Sequence, residues 1–317
     1  NRKSEWSRRL IQESNLSVND LILPIFIIDG KNKKESIKSM PEIFRYSVDK
    51  IPAILDRAVK NKIPMVALFP YTNKKLKNNS GDEALNENNL VCRAIRLIKK
   101  KYKNKIGIMC DVALDPYTSH GHDGLLIKGK IQNDETIEIL VKQSLLQAEM
   151  GCDVIAPSDM MDGRVGVIRK ALDQHNFKNV QILSYAAKYA SNFYGPFRNA
   201  IGSNKKLKGD KKSYQMDYKN SGEALREVAL DIKEGADFVM VKPALPYLDV
   251  IKSVKENFKI PVFAYQVSGE YSMIIKAVKK GLLNKDSITE TLMSIKRAGA
   301  SAMITYFALD VAKKIEK

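Results

Sequence analysis

Two lysines stand at the ends of apolar runs in this chain of 317 residues. Lys242 follows the apolar residues 238–241, and Lys188 closes the run "VQILSYAAK" at 180–188. An ammonium is costly to bury, so a lysine held there loses its proton more easily and becomes a nucleophile for a carbonyl carbon. A single such lysine can instead extend to solvent. Two on neighbouring strands repel each other, which favours a nucleophilic pair over two independent surface lysines.

Further reactive side chains stand where the other apolar runs stop. They are Asp111 and Asp115, Ser158 and Asp159, Ser268, and Tyr306. Carboxyl, hydroxyl and phenol groups close to two amines would suit proton transfer and carboxylate binding around a carbonyl substrate.

The elements that must position these groups are eight short apolar runs separated by amphipathic stretches. The runs cover 21–28, 65–70, 106–114, 152–158, 180–188, 237–243, 261–268 and 301–307, and clear helical patterns cover 134–151 and 221–236. Continuous apolar character is typical of parallel strands covered by helices on both faces. No G-x-G-x-x-G follows any run, so the alternation predicts an α/β protein with a (β/α)8 TIM barrel over 21–317 instead of an open doubly wound sheet. The active site of such a barrel lies at the carboxyl ends of the strands.

Residues 1–20 precede the first run and have no barrel element to join. Trp6 lies there among charged residues. We expect an N-terminal arm that packs on a neighbouring subunit, with a frayed terminus as the alternative.

The segment from about 189 to 219 lies between the fifth run and the next clear helical pattern. A long structureless segment of this kind is commonly a functional lid or a disordered linker. It contains Phe197, Arg198, Lys211 and Gln215, which combine aromatic cover with donors for a carboxylate. This content favours a lid, in which Arg198 supplies bidentate recognition and Lys211 a point charge.

The run "CDVALDPYTSHGHDG" at 110–124 concentrates three acids and two histidines. Such a cluster suits either a metal site or a polar, hydrogen-bonded loop. Oxygen-rich ligation by Asp115 and Asp123 would suit Mg²⁺ or no tightly held ion, and a closed zinc site is not expected.

Composition limits the remaining function classes. The net charge of +17 raises the possibility of nucleic-acid binding. The lysines are spread over the chain with little aromatic interleaving, which favours a solvated surface and no nucleic-acid partner. No run is long enough for a membrane span, and three scattered cysteines indicate a reducing, cytoplasmic compartment.

Several motifs together resemble one family, porphobilinogen synthase, also called δ-aminolevulinic acid dehydratase. They are "MVKPALPYLD", "SYAAKYASNFYGPFR", "APSDMMDGRVG", "GDKKSYQMD" and "AYQVSGEYSMI", and the similarity covers nearly the whole chain. The resemblance implies condensation of two molecules of δ-aminolevulinic acid to porphobilinogen with loss of two waters, in the biosynthesis of haem and other tetrapyrroles. It also implies a homo-octamer. A class I aldolase, the alternative among enzymes, needs only one such lysine and often recognises phosphate.

The resemblance assigns roles to individual residues. Lys242 matches the lysine that forms the Schiff base with the substrate bound first, and Lys188 matches the lysine that engages the second substrate. The first carboxylate would be bound by Ser268 and Tyr306, and the second by Arg198, Lys211 and Gln215. Asp111, Ser158, Tyr185 and Tyr265 match residues that line the pocket, with Asp111 placed among the catalytic groups, and Phe197 matches an aromatic residue of the lid.

Two departures from the family pattern concern the metal and the second carboxylate. Zinc-dependent members have three cysteines where this chain has Ala113, Asp115 and Asp123, so no catalytic zinc is expected. Many members have arginine at the position of Lys211. Glu227 matches a carboxylate of a separate, allosteric Mg²⁺ site, although one helical glutamate by itself is usually a surface residue.

Overall fold

The computed structural model describes residues 1–203, 207 and 209–315. Within this part of the chain, eight parallel strands form a closed (β/α)8 barrel, because the last strand pairs with the first. The barrel strands are β1 (Leu21–Ile28), β4 (Met65–Tyr71), β5 (Gly107–Val112), β8 (Val154–Pro157), β9 (Gln181–Lys188), β10 (Phe238–Lys242), β11 (Val262–Tyr265) and β12 (Ala302–Ile304). The predicted TIM barrel is confirmed.

Helices cover the outside of the barrel and follow the strands in order. They are α2 (Ile51–Lys60), α3 (Leu90–Tyr102), α4 (Asn133–Glu149), α5 (Arg164–Gln174), α7 (Gly222–Glu234), α8 (Leu248–Asn257), α9 (Ser268–Lys279), α10 (Ser287–Arg297) and α11 (Ala308–Ile315). Both helical patterns in the sequence are therefore helices. Gly235 ends α7 in the left-handed region, with φ of 104°, where a residue with a side chain would be strained.

The apolar runs form the strands because their side chains are buried on both faces. Every residue of β1 and β8 is buried, as are the inner residues of β4. Burying one Leu, Ile or Phe side chain contributes about 1.5–3 kcal/mol. Each run thus gains most as a strand between the barrel interior and a helix layer.

Two hairpins lie outside the simple alternation. β2 (Lys34–Ser36) pairs with β3 (Phe44–Ser47), and β3 in turn lies parallel to β1. β6 (Leu125–Ile127) pairs with β7 (Lys130–Gln132) in the loop after β5. These short elements carry no long apolar run, which is why the sequence patterns did not reveal them.

The predicted arm, residues 1–20, has two parts. Its first part contains α1 (Glu5–Leu10), which has no buried residue, and the side chain of Trp6 is 64% exposed. Its second part packs on the barrel: Leu16 and Val18 are buried, and Asp20 forms an ion pair with Lys296 at 2.7 Å.

The sequence predicted that the lid segment, 189–219, is structureless, but part of it forms regular structure. A 3-10 turn at Asn192–Tyr194 leads into the short helix α6 (Gly195–Ile201). Pro196 stands at the start of α6, where its fixed φ favours the helix, and Gly202 ends it. Residues 204–206 and 208 of the lid, and 316–317 of the barrel domain, lie outside the described residues. Among the described helices, none combines the length and apolar character needed to cross a membrane.

Candidate active site

Lys188 and Lys242 end neighbouring strands and lie directly opposite each other in the register of β9 and β10. Both side chains are buried. They face one cavity of about 30 Å³, which therefore joins the two amines as the sequence predicted. The cavity is lined by Asp111, Asp115, Asp123, Ser158, Lys188, Tyr194, Phe197, Arg198, Lys211, Gln215 and Lys242.

Aromatic rings surround the amine of Lys242. Its Nζ lies 4.5 Å from the ring centre of Tyr265, 5.0 Å from that of Tyr185, and 5.2 Å and 5.3 Å from those of Phe197 and Tyr194. Burial, and after it the positive charge of Lys188, lowers the pKa of Lys242 to about 7. Part of the Lys242 population is thus the neutral, nucleophilic amine at neutral pH.

The amine of Lys188 has polar neighbours instead of rings. Its Nζ donates a hydrogen bond to the backbone oxygen of Ser158 and lies 3.8 Å from Oδ1 of Asp123. The two lysines therefore differ in environment.

Lys211 of the lid lies between two carboxylates of the loop after β5. Its Nζ is 3.1 Å from Asp123 and 3.4 Å from Asp115. Burial alone would raise the pKa of Asp123, but the ammoniums of Lys188 and Lys211 outweigh it and bring that pKa to about 2. Burial alone would lower the pKa of Lys211, and the charges of Asp115 and Asp123 raise it instead.

These ion pairs bear on the metal expected at Asp115 and Asp123. The lysine ammonium occupies the position between the carboxylates and already compensates their charge. In the described parts of the chain, no three His, Cys, Asp or Glu side chains are arranged to hold an ion. A divalent cation does not fit here while Lys211 is in place.

Asp111 is the carboxyl group of this cavity whose pKa suits proton transfer near neutral pH. Burial raises its pKa to about 6, against the charge of Lys242, which lowers it. A hydrogen bond from Ser158 also favours its ionised form. A carboxyl group with this pKa can both donate and accept a proton near neutral pH.

The predicted ligands of the first carboxylate lie beside the lid. The backbone N–H of Phe197 donates to Oγ of Ser268 at 2.8 Å, and the hydroxyls of Tyr265 and Tyr306 are 3.0 Å apart. The hydroxyl of Ser268 donates to the backbone oxygen of Phe193 at 3.5 Å, so the lid segment already uses the donor that a carboxylate would need. A cavity of about 30 Å³ holds at most a few water molecules, so α6 must move before a substrate can enter.

Glu227 lies apart from the lysines, in a second cavity of about 910 Å³. Asp162 and Glu223 line this cavity as well, and Gln215 lines both cavities. Burial, and then the negative charges of Asp231 and Asp162, raises the pKa of Glu227. A cation in this cavity would relieve that repulsion.

The structure adds to the site three residues that were not among the predicted site residues. The hydroxyl of Tyr194 donates to the backbone oxygen of Lys242 at 3.2 Å. The hydroxyl of Tyr214 lies 3.1 Å from Nδ1 of His122 and accepts the backbone N–H of Asp123 at 3.4 Å. The carboxylate of Glu270, fully buried, accepts the backbone N–H groups of Leu245 and Val267 at 2.6 Å each.

Tyr194 and Tyr214 had a sequence signal, as aromatic residues of the lid segment. Glu270 is the third residue of α9 and resembles an ordinary helix-start glutamate in the sequence. Its carboxylate ties the loop after Lys242 to the turn before Ser268. Burial raises its pKa to about 7, although the backbone donors lower it.

A (β/α)8 barrel with two buried amines at its carboxyl end defines an enzyme that forms Schiff bases with carbonyl substrates. The comparisons with known proteins specify which one. A family model described as "Delta-aminolevulinic acid dehydratase" matches residues 1–314. The chain belongs to the delta-aminolevulinic acid dehydratase family, as the motifs predicted.

Individual members of the family are similar to this chain over nearly its full length. Delta-aminolevulinic acid dehydratase of Bradyrhizobium diazoefficiens is 59% identical and covers 99% of this chain and 89% of the relative. The enzyme of Rhodobacter capsulatus is 49% identical, over 99% of this chain and 95% of the relative.

A solved structure supports the same family. Delta-aminolevulinic acid dehydratase (porphobilinogen synthase) from Toxoplasma gondii ME49, in complex with the reaction product porphobilinogen, has a TM-score of 0.97 and 44% identity. The match covers 99% of this chain and 90% of that chain. A putative deoxyribose-phosphate aldolase from Coccidioides immitis, at 10% identity and a TM-score of 0.50, shares only the fold.

Proposed function

We propose roles for the individual residues of this site in the reaction of its family. The chain is a lyase that condenses two molecules of δ-aminolevulinic acid to porphobilinogen with loss of two waters, a step of porphyrin biosynthesis. Each substrate carries a ketone and a carboxylate. The site must therefore supply amines for two ketones and donors for two carboxylates, and the observation that carries the proposal is the pairing of Lys188 and Lys242 in one cavity.

Lys242 acts as the nucleophile for the substrate bound first. Its neutral amine attacks the ketone carbon, and the addition product loses the former carbonyl oxygen as water. The nitrogen gives up its two protons in these steps, and a Schiff base remains. Asp111 delivers a proton to the departing oxygen and takes one back, which its pKa of about 6 permits.

Lys188 engages the ketone of the second substrate. The contacts of its ammonium with Ser158 and Asp123 must be released before its amine can react. Ser268 and Tyr306 bind the carboxylate of the first substrate, and Arg198, Lys211 and Gln215 bind that of the second. Arg198 provides the bidentate contact, because Lys211 already shares its charge with Asp115 and Asp123.

The decisive test is chemical trapping. Sodium borohydride is added to the enzyme with δ-aminolevulinic acid, so that a Schiff base is reduced to a stable secondary amine, and the adduct is located by peptide mass mapping. We expect the adduct on Lys242, and none without substrate. An unmodified Lys242 in protein that forms porphobilinogen would contradict the assignment.

The family is metal-dependent, and we assign this chain Mg²⁺ instead of catalytic zinc. Glu227 lines the larger cavity, and a carboxylate oxygen is a ligand that suits Mg²⁺, although no three such side chains in the described part of the chain are already arranged to hold an ion. A Mg²⁺ ion bound there would compensate the charge that raises the pKa of Glu227. Because this cavity is separate from the lysines, the ion would act allosterically through Gln215, the lid residue that lines both cavities, with Glu227 as its ligand.

Metal dependence is tested by chelation of the intact protein. A zinc-selective chelator should leave activity largely unchanged, whereas EDTA should lower it and added Mg²⁺ should restore it. Glu227→Gln should weaken the response to Mg²⁺, while Glu256→Gln, a change at an exposed helical glutamate, should not. Selective loss with the zinc chelator and recovery with zinc would contradict this proposal.

Assembly and compartment complete the proposal. The exposed Trp6 and Leu10 of the arm support packing of residues 1–20 on a neighbouring subunit of a homo-octamer. Cys92, Cys110 and Cys152 are buried free thiols, which supports a reducing, cytoplasmic location. Sedimentation of the purified protein tests the assembly: a monomer at working concentration would contradict it.

A further inference from the structure

The short helix α6 of the lid carries Phe197 and Arg198 over the active-site cavity, and both its ends touch the β2–β3 hairpin. Oγ of Ser39 donates to the backbone oxygen of Pro196 at 3.3 Å. At the other end, Arg45 donates from Nε to the oxygen of Ala200 at 2.6 Å and from Nη2 to the oxygen of Asn199 at 2.7 Å. The hairpin is thus the outer support of the lid.

Arg45 is well suited to hold the end of a helix. The last carbonyls of a helix lack partners within it and carry the negative end of its dipole, so a cation stabilises them. The guanidinium of Arg45 is buried, lies 4.3 Å from the ring centre of Tyr71, and pairs with Glu35. Its planar fork lets Nε and Nη2 reach two successive carbonyls at once, which an ammonium cannot do.

The same strand register also supports the inner face of the lid. Arg45 on β3 lies opposite Phe26 on β1. The ring of Phe26 packs on that of Phe197, with centres 5.7 Å apart, and the ring of Phe69 meets Phe197 edge-on at 5.4 Å. Displacement of the hairpin would therefore affect both the last turn of α6 and its aromatic cover.

During the reaction, some polar contacts of the lid must break when substrate binds, and others can persist. The bond from Oγ of Ser268 to the backbone oxygen of Phe193, at 3.5 Å, lies on the substrate side and must break when that hydroxyl donates to a carboxylate instead. The bonds of Ser39 and Arg45 lie on the outside and involve no group that substrate replaces. Once substrate is bound, these contacts to α6 remain, and Arg45 supplies two of the three.

We propose that Arg45 is a positioning residue for the condensation, whose guanidinium returns α6 to its closed position so that Phe197 and Arg198 face Lys242. The proposal rests on the roles proposed for the lid and for Lys242. Those roles have their own test, the borohydride adduct of the unaltered protein, so the two can fail separately.

The experiment compares Arg45→Met with Arg45→Lys and with a matched control. We expect Arg45→Met to lower kcat/KM about tenfold or more, because one charge-assisted hydrogen bond has about that effect. Arg45→Lys should fall between it and the unaltered protein. In the presence of substrate, a protease should cleave within residues 189–219 faster in Arg45→Met than in the unaltered protein. Borohydride should still trap the first substrate on Lys242 in both.

The control is Arg169→Met. Arg169 also donates to two backbone oxygens, those of Val180 at 2.7 Å and Phe177 at 3.3 Å, but at the amino end of β9, the opposite end of the barrel. Its loss should lower the melting temperature without changing lid cleavage. Equal kcat/KM and equal lid cleavage for Arg45→Met and Arg169→Met would overturn the proposal.

A second variant tests the same contact without touching Arg45. A side chain at Gly202 would place its Cβ 2.6 Å from Cε2 of Tyr71, the ring against which Arg45 lies, and the backbone φ there is 71°. Gly202→Ala should therefore disturb the end of α6 and change activity and lid cleavage in the same direction as Arg45→Met. If Arg45→Met does not fold, unchanged activity and lid cleavage in Gly202→Ala and Arg45→Lys would overturn the proposal.

Discussion

Replacement of Lys242 by Met is expected to abolish porphobilinogen formation and to make the protein more stable. Activity should fall by roughly four orders of magnitude or more, as when other enzymes lose their nucleophile. The stability should rise because the amine is buried among aromatic rings and repelled by Lys188, whereas a thioether suits the same site. Single stabilising substitutions commonly add about 0.5–2 kcal/mol. Assays and thermal unfolding of the same samples measure both effects.

Lys188→Met provides the contrast. It should also remove activity, but without a gain in stability, because Lys188 donates to Ser158 and lies beside Asp123, and its loss leaves these buried acceptors without it. A Lys242→Met protein that retains activity, or that unfolds at a lower temperature than the unaltered chain, would contradict the first prediction.

The stability gained in Lys242→Met should depend on pH, because folding lowers the pKa of Lys242. Folding changes that pKa from 10.5 to about 7, so below about pH 7 the amine is protonated in both states and the folded state bears the full cost of burying it. Between about 7 and 10.5 only the unfolded chain binds the proton, and this cost declines. The stability gained in Lys242→Met should therefore shrink as the pH rises through that window, while kcat/KM of the unaltered enzyme should rise through about pH 7.

Among the variants proposed here, Arg164→Met is expected to lower the free energy of unfolding most, by about 3–5 kcal/mol. Arg164 is buried, with Nε 3.5 Å from Asp159 and Nη1 3.7 Å from Asp231, and it donates to Oγ of Ser184 at 3.2 Å. Its removal leaves two buried carboxylates without their cation. Urea unfolding at pH 8 measures the loss, and activity should fall as well, since Asp159 directly follows Ser158 of the site.

The matched control is an arginine pair at the surface. Arg93 lies 2.8 Å from Asp29, and both side chains are well exposed, at 40% and 53%. Arg93→Met should therefore cost less than about 1 kcal/mol. Burial raises the pKa of Asp159 to about 6, so the loss in Arg164→Met should be smaller at pH 5, where protonation removes the unpaired charge. An equal loss for both variants would contradict the prediction.

The barrel and its reactive strand ends were predictable from the sequence because they depend on local patterns. A continuous apolar run such as that of β1 indicates a strand buried on both faces, wherever it lies in the chain. In a closed parallel barrel, all strands end on one side, so Lys188 and Lys242 had to meet. The motifs around them then sufficed to identify the family.

The short elements and the individual environments were not predictable in this way. Helix α6 has only seven residues, and its closed position depends on Arg45, which precedes Ala200 by 155 residues. The ion pairs of Lys211 with Asp115 and Asp123, which argue against a metal between those carboxylates, likewise join segments about 90 residues apart.

The sequence by itself determined the fold, the family and the two lysines proposed to carry the chemistry. Only the tertiary structure could distinguish the two lysines, because their environments depend on burial and on neighbouring charges. Lys242 lies among the rings of Tyr185, Tyr194, Phe197 and Tyr265, and Lys188 lies beside a carbonyl and a carboxylate. Both lysines follow apolar residues in the sequence, and the free energy of their ammonium forms differs only through what the folded chain places around each.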